Sequence, residues 1–264
     1  MGFILTLLVL TLSVTVHEFG HFVAMRRNGV KVLEFSIGFG PALFQRQDSR
    51  GTMWSLRAIF FGGYCKPELE GPDGVNGKSA WARFKIYLAG MLFNSIAAFV
   101  TLLVSIYAWH RAPSIFVDIA HRLPLPQPLM PLAIAFIGSF GFWLATPFLV
   151  FQQFFVNGLG FFKGAAGPIG IMVMGNQTMG AAAQSGAVGF GIVMFFILIN
   201  VGLAGFNLLP LFPLDGGHLL GILLEKVSGR HAQKVLAVYR LAGAAVMLLL
   251  IIGIFASDIA KLIS

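Results

Sequence analysis

The sequence is poor in charged residues and in cysteine. Asp, Glu, Lys and Arg together make up 11% of its 264 residues, whereas soluble globular domains carry about 25%. Hydrophobic residues make up 57%. This composition excludes an ordinary soluble domain and predicts an integral membrane protein. The single cysteine, Cys65, excludes an internal disulfide framework, and we interpret it as a small apolar side chain.

Acidic residues are scarce as well, with 10 against 18 basic ones and a net charge of +8. Such an excess can indicate nucleic-acid binding. Here, however, the basic residues cluster between apolar segments, which is the topology signal of a membrane protein, so we expect no nucleic-acid partner. The N-terminus lacks a basic region and a small-residue cleavage site. We therefore expect a retained first transmembrane helix rather than a signal peptide.

The pattern of apolar segments predicts an all-α polytopic membrane protein with about four transmembrane helices and a small membrane-associated β element between the first two. Along the single domain 1–264, the predicted segments are a first transmembrane helix (1–26), a β-rich cytoplasmic or membrane loop (31–66), a second transmembrane helix (84–109), a short external loop (110–128), a membrane-embedded or re-entrant segment (129–165), a third transmembrane segment (188–227) and a fourth (241–257). We expect the four prolines of the external loop to prevent regular structure, and we expect 163–180 to be a glycine-rich linker.

Basic residues set the predicted orientation. Those after the first helix place the following loop in the cytoplasm and the N-terminus outside. A second basic cluster, at 226–240, should also be cytoplasmic. An odd number of crossings must then connect the external loop to this cluster. Because 188–209 supplies one crossing, we expect the segment 129–165 to contribute none or two.

The first apolar segment contains the motif His17-Glu18-Phe19-Gly20-His21. An ionisable group at the centre of a membrane helix costs on the order of 2.5–3.5 kcal/mol, so three of them together are not explained by packing. On a helix the two histidines, four residues apart, project from one face, where their rings can share a zinc ion. Glu18 is then placed to take a proton from water at the metal.

A catalytic zinc normally takes three protein ligands, so a partner must come from elsewhere in the chain. Asp215 is the candidate, because an uncompensated carboxylate in an apolar neighbourhood is costly whereas one that binds zinc is stabilised. Pro210 and Pro213 lie just before it and cannot continue a helix without losing hydrogen bonds. We therefore predict broken backbone near Asp215, which is tolerated within a membrane only where it is buried or faces water.

These motifs together resemble the site-2 protease family of intramembrane zinc metalloproteases. The resemblance rests on the first motif and on a second one, Asn207-x-x-Pro210-x-x-Pro213-Leu214-Asp215-Gly216. Four shorter matches support it: Phe35-Ser36-Ile37-Gly38-Phe39-Gly40-Pro41, Phe61-Gly62-Gly63-Tyr64, Ala89-Gly90 with Asn94, and Gly167-Pro168-Ile169-Gly170. The resemblance covers almost the whole chain, and the most similar subgroup is the bacterial envelope-stress regulators that cleave membrane-anchored anti-sigma factors.

The resemblance implies that His17, His21 and Asp215 are the Zn2+ ligands, that Glu18 is the general base and that Asn207 contacts the substrate backbone. It implies regulated proteolysis in the bacterial inner membrane, with the active site toward the cytoplasmic side. The substrate would be a single-span protein within the lipid bilayer, such as an anti-sigma factor or a signal-peptide remnant. The family subgroup carries PDZ-type domains in the outer loop, and the loop 110–128 is far too short for one. This departure from the family pattern puts in doubt both a PDZ-based size filter and any specific anti-sigma substrate for this chain.

Several alternatives stay open. Asp215 could cap a helix, Asn207 could make an interhelical hydrogen bond, Asn94 could make a structural hydrogen bond instead of contacting substrate, and His218 could be a fourth ligand. The strand-like stretch 52–64 could pair with an unwound substrate or be a structural membrane loop. The alternative functions are a membrane metal transporter, a di-metal oxidase and a catalytically idle scaffold. A transporter would more plausibly show two repeated halves, and none is visible in the sequence. A di-metal oxidase would need more histidines than the six present. The intact Glu18 argues against an idle scaffold.

Overall fold

The computed structural model describes residues 2–109, 114–157 and 167–263. The helices over these ranges are α1 (Gly2–Arg27), α2 (Ala80–Trp109), α3 (Ser114–His121), α4 (Met130–Phe136), α5 (Phe142–Asn157), α6 (Pro168–Gln184), α7 (Val188–Asn207), α8 (Asp215–Ser228) and α9 (Ala232–Ile263). Two strands, β1 (Val32–Gln47) and β2 (Met53–Pro67), lie between α1 and α2. The prediction of a mostly helical protein with a small β element after the first helix is confirmed.

Five helical stretches of the described ranges are long and apolar enough to cross a bilayer: Gly2–Arg27, Ala80–Ala108, Gln127–Gln153, Val188–Asn207 and Ala232–Lys261. Four of them correspond to the predicted transmembrane helices, and the remaining one falls in the segment expected to be embedded or re-entrant. The second and the last helix begin earlier than predicted, because their basic residues continue the helix instead of preceding it. Long basic side chains can do this at a membrane surface by extending their charged ends into water.

The segment at 127–157 is irregular but continuous. A π-helical turn, Ile137–Gly141, joins α4 to α5, and Pro147 lies inside α5. Gly138, Gly141 and Pro147 therefore distort this segment without ending it. The expectation that the segment contributes none or two crossings of the bilayer stays a prediction, and residues 158–165 of the predicted segment lie outside the described ranges.

The predicted glycine-rich linker at 163–180 is wrong for its described part, which forms α6. Pro168 stands in the first turn, where its missing N–H costs nothing. The Asp258 carboxylate on α9 is buried and accepts hydrogen bonds from the backbone N–H groups of Gly167 (3.3 Å) and Gly170 (2.9 Å), so it caps the start of this helix. Gly175 allows close packing, since a Cβ at this position would overlap the Thr6 side chain of α1.

The prediction of an irregular external loop is also wrong in part. Helix α3 occupies Ser114–His121, and the three described prolines of the loop, at positions 124, 126 and 128, follow it. These prolines therefore do not interrupt the helix. Residues 110–113 of the predicted loop lie outside the described ranges.

The two strands form one antiparallel sheet with an unusual register. The outer parts pair as a long hairpin, from Val32 with Pro67 to Gln47 with Met53. The stretch 34–37 of β1 pairs twice, with 53–56 and with 63–66 of β2. This double pairing requires β1 to bend, and it does so near Gly38 and Gly40, whose φ angles of +86° and +78° favour glycine.

The sheet and the helices are held together by buried contacts around α1. Phe22 and Met25 of α1 pack with Phe35 of β1 and Ile86 of α2 in one apolar cluster. On the other side of α1, the fully buried Asn200 of α7 donates a hydrogen bond to the Ser13 hydroxyl (2.9 Å). Interhelical polar contacts and close small-residue packing are the usual means by which membrane helices associate. Helix α1 is therefore the central element of the fold.

Candidate metal centre

Three side chains with metal-binding atoms converge in the interior of the protein. The Nε2 atoms of His17 and His21 are 3.1 Å apart, and the Asp215 Oδ2 atom lies 3.0 Å from the first and 3.1 Å from the second. Within the described ranges, these residues form the group of three His, Cys, Asp or Glu side chains close enough to hold one metal ion. Both histidines are buried, with 6% and 7% of their surface exposed.

The positions of these side chains follow from two local features. The histidines are one turn apart on α1, so both rings leave the same face of the helix. Asp215 is the first residue of α8, and it follows a non-helical stretch, 208–214, after the end of α7. The predicted break of the backbone before Asp215 is thus present in the structure. The break turns the chain so that the carboxylate points back toward α1.

The hydrogen bonding of His21 shows what its ring offers to the centre. Its Nδ1 atom lies 2.8 Å from the backbone carbonyl oxygen of Ile86, which can only accept, so Nδ1 carries the hydrogen and donates it. In the neutral ring, the Nε2 atom then presents a lone pair. A hydrogen bond of this type behind the ring is typical of histidines that bind metals, because it fixes the ring and the tautomer. A lone pair that faces another nitrogen and a carboxylate oxygen is repelled unless a metal ion or a proton lies among them.

The spacing of the three atoms also fits a zinc ion. Bonds of about 2.0–2.1 Å in a tetrahedral arrangement separate the ligand atoms by about 3.3–3.4 Å. The separations of 3.0–3.1 Å in this structure are close to that value. Two imidazoles and one carboxylate are one of the ligand sets that catalytic zinc takes, with a fourth position left for water or substrate.

Helix α2 forms one wall of the centre through a glycine. A Cβ atom at Gly90 would overlap His21 Nε2 and would lie 2.7 Å from both Cε1 and Nε2 of His17. The helices approach closely at this level, since a Cβ at Gly20 would lie 2.9 Å from the Ala89 carbonyl carbon. Any residue other than glycine at position 90 would therefore displace the two rings.

Glu18 is held by the sheet. Its Oε2 atom accepts a hydrogen bond from the backbone N–H of Cys65 in β2 (2.9 Å). The same strand runs along α1, because the Thr11 hydroxyl donates to the carbonyl oxygen of Phe60 (2.8 Å). Burial, and next the nearby Glu18 carboxylate, raise the pKa of the Cys65 thiol to about 12. A thiol with a raised pKa is a weak nucleophile at neutral pH, so nothing here favours a catalytic role for the Cys65 side chain.

The remaining sequence candidates are not brought into the group of converging atoms. Asn207 is the last residue of α7, and its amide donates to the Leu203 carbonyl oxygen within the same helix (3.0 Å). Asn94 is fully buried one turn after Gly90, and among the residues that the structure describes neither its amide nitrogen nor its amide oxygen has a hydrogen-bond partner. The ring of His218 stacks on Tyr87, with 4.3 Å between centroids.

Sequence reasoning assigned no role to three groups that shape the centre: Gly90, the Ile86 carbonyl and the Cys65 N–H. Gly90 belongs to one of the short family matches, but its role depends on which residues it faces in the fold, and the sequence does not show these. The two backbone groups carry no signal in the sequence, because every residue except proline has both an N–H and a C=O.

Comparison with known proteins agrees with this geometry. The sequence profile of Peptidase family M50 matches residues 5–250. The Regulator of sigma-E protease RseP of Escherichia coli K12 is 45% identical over 102 residues, which is 35% of this chain and 22% of that protein. Protease RseP of Yersinia pestis is 41% identical over 104 residues (36% and 23%). A Xylella fastidiosa protein whose name describes a zinc metalloprotease is 44% identical over 100 residues (34% and 22%). The matched stretch thus spans less than a quarter of the length of each of these relatives.

Proposed function

The chain belongs to peptidase family M50, and from this premise we propose that it is an intramembrane zinc metalloprotease. Its reaction would be hydrolysis of peptide bonds within or near the transmembrane segments of membrane-anchored proteins. The observation that carries the proposal is the convergence of His17, His21 and Asp215 beside Glu18, on a helix apolar enough to span a bilayer. Relatives named as zinc metalloproteases support the same metal.

In this proposal His17, His21 and Asp215 hold the zinc ion. When bound, zinc polarises the carbonyl of the scissile bond and lowers the pKa of water toward ~7. The buried carboxylate and the two neutral rings supply the three protein ligands, and the close fit of α2 at Gly90 keeps both rings in place. The apolar surroundings strengthen these electrostatic interactions.

Glu18 acts as the general base and then as the general acid. It takes a proton from the attacking water and delivers it to the nitrogen of the leaving amine, so no covalent enzyme intermediate is needed. The Cys65 N–H fixes the Oε2 atom and leaves Oε1 for the proton.

The substrate is best accommodated as an extended strand beside β2. The contacts of this strand with α1 proceed from Phe60 at Thr11 to Cys65 at Glu18, so its edge leads to the general base. A peptide that pairs with an exposed edge presents its carbonyls, whereas a helical segment keeps them hydrogen-bonded. Asn94 and Asn207 are the candidate polar groups for the substrate backbone, and the two unpartnered amide atoms of Asn94 support this role for it.

We further propose a single-span protein as substrate, such as an anti-sigma factor or a signal-peptide remnant, in a bacterial inner membrane. The name of the Escherichia coli relative, a regulator of sigma-E, supports the first of these. Arg26 and Arg27 end α1 one to two turns after His21. By the positive-inside rule these residues favour an N-terminus outside and a centre toward the cytoplasmic side.

The proposal is tested with the full chain in detergent micelles and a panel of single-span proteins. Glu18→Gln should reduce the cleavage rate by about 10²–10⁴-fold, since it removes the base but no ligand. Metal analysis of the same sample should still find about one zinc per chain. Glu70→Gln in the exposed loop after β2 is the matched control and should cleave normally.

Two results would contradict the proposal in different ways. Cleavage by Glu18→Gln at the wild-type rate would remove Glu18 from the reaction. A wild-type chain that binds zinc and cleaves no member of the panel would instead favour the scaffold or the transporter.

A further inference from the structure

The stretch 208–214, here called the ligand loop, carries Asp215 toward the histidines and is held in part by its own turns. Leu211 donates its N–H to the Leu209 carbonyl (2.8 Å), and Leu214 donates to the Leu211 carbonyl (2.9 Å). The loop also folds onto the first turn of α8, because a Cβ at Gly217 would lie 2.6 Å from Phe212 N. These contacts give the loop its shape but do not anchor it to another helix.

The anchor is supplied by α9. The hydroxyl of Tyr239 lies 3.1 Å from the Pro210 carbonyl oxygen and 3.0 Å from the Gly217 carbonyl oxygen, and it donates its hydrogen to this pair. The two acceptors stand on either side of Asp215, one in the ligand loop and one in the first turn of α8. A single side chain therefore connects both flanks of the candidate ligand.

A second contact on the same face of α9 supports this role. Gly243 follows Tyr239 by four residues, which places both on one face of the helix. A Cβ at Gly243 would lie 2.9 Å from Phe212 N and 3.1 Å from Phe212 Cβ. The backbone of α9 thus packs directly against the ligand loop.

Much of the remainder of α9 faces away from the protein. Val238 and Leu241, close to Tyr239 in the chain, are 69% and 75% exposed. The helix contacts chiefly α8 and α6. Tyr239 and Gly243 are two points at which this peripheral helix contacts the ligand loop or its flank.

We infer that Tyr239 is a positioning residue for Asp215, and that through it the affinity of the centre for metal depends on the docking of α9. The inference rests on the proposed zinc site. The Tyr239 hydroxyl holds the carbonyls before and after the carboxylate at a fixed separation, so the carboxylate meets the two rings without a search among loop conformations. In this inference Tyr239 acts through the two carbonyl groups and not as a metal ligand.

The test compares Tyr239→Phe with the wild-type full chain in detergent, with zinc affinity measured by competition against a chromophoric chelator. Loss of the hydroxyl should weaken zinc binding by about 5-fold, the equivalent of one hydrogen bond. Gly243→Ala, which pushes the helix away from Phe212, should weaken it in the same direction. Tyr107→Phe, at an exposed position of α2, is the matched control and should leave the affinity unchanged.

A purely structural role for Tyr239 gives a different result. Thermal unfolding of the metal-free protein would then shift to lower temperature, while the folded variant would bind zinc with wild-type affinity. That outcome would overturn the inference and leave the zinc centre standing. A wild-type chain that binds no zinc would overturn the proposed centre and the inference with it.

Discussion

Glycine 90 shows how much one absent side chain contributes to this centre. Both histidine rings lie against its Cα, so the metal-binding atoms of α1 occupy space that any other residue would fill. Glycine in a helix interior costs about 0.5–1 kcal/mol relative to alanine. Glycine is required at position 90 despite this cost, because a side chain there would overlap the two histidine rings.

We predict that Gly90→Ala loses metal and activity together. The added methyl group would displace both rings, and the separations of the three ligand atoms would no longer suit one ion. Zinc content of the purified protein and cleavage of a model substrate measure this. Gly202→Ala in α7 is the control, since a Cβ at Gly202 meets nothing within 4 Å. Normal zinc content in Gly90→Ala would show that the rings can move without loss of the site.

The histidine pair and Glu18 could be predicted from the sequence because their relation is local. Two positions four apart on a helix share a face whatever the rest of the fold does. The role of Gly90 could not be predicted, because it depends on where α2 crosses α1. The role of Cys65 could not be predicted either, because its backbone N–H, and not its side chain, contacts Glu18.

One of the polar links between α1 and the sheet is formed by the carboxylate of Asp48, in the turn between the strands. Asp48 pairs with Arg26 at the end of α1 and accepts hydrogen bonds from Trp54 Nε1 (3.1 Å) and from the N–H groups of Arg50 (2.9 Å) and Thr52 (3.1 Å). Burial by itself would raise the pKa of Asp48, but these hydrogen bonds outweigh it and hold the pKa well below its ordinary value.

The lowered pKa predicts the direction of a pH effect on stability. Because the folded protein favours the ionised form, Asp48 stabilises the fold fully above its ordinary pKa of 3.8. The contribution is lost as the pH falls below that value toward the lower pKa of the folded state. We expect Asp48→Asn to lower the free energy of unfolding by about 1.5–3 kcal/mol at neutral pH and to flatten the fall of this free energy between about pH 4 and about pH 2.

Thermal unfolding followed by circular dichroism over this pH range measures the effect of Asp48→Asn. The control is Asp73→Asn, which removes one negative charge from an exposed loop position. Equal pH profiles for Asp48→Asn and the wild type would contradict the proposed contribution.

At the scale of the whole molecule, the candidate metal centre joins α1, near the start of the chain, to α8, about 200 residues later. Helix α1 provides two of the converging groups and α8 the third, while α2, β2 and α9 surround them. In the proposed enzyme, a metal ion therefore connects elements that are far apart in the chain. A ligand that binds only the folded state stabilises it in proportion to the logarithm of its concentration over its dissociation constant.

Removal of metal should for this reason loosen the whole molecule. We expect a chelator to lower the melting temperature and to expose the ligand loop to proteases, and we expect added zinc to reverse both. At a zinc concentration of about 100 times the dissociation constant, the stabilisation is about 2.7 kcal/mol. Cys65, the single cysteine, can report unfolding through a thiol-reactive fluorophore, because burial raises the pKa of its thiol in the folded protein and so slows its reaction there.

Two variants make this measurement specific. Asp215→Ala should show no zinc-dependent shift, since it lacks the third ligand. Asp48→Asn should melt at a lower temperature but keep the full shift, because its ligands are intact. A zinc-dependent shift in Asp215→Ala as large as in the wild type would mean that another group is the third ligand.

The sequence alone determined four features, because each depends on residues close together in the chain. They are the order of the apolar segments, the β element after the first helix, the zinc-type motif on α1 and the broken backbone before Asp215. The prediction of a linker at 163–180 was wrong because distant residues stabilise the helix in its described part. Asp258 of α9 caps this helix, and Thr6 of α1 packs against it at Gly175. Only the tertiary structure decided that Gly90 makes room for the rings, that the Cys65 backbone holds Glu18 and that Tyr239 anchors the ligand loop. These are contacts between segments whose spatial relation no local pattern specifies.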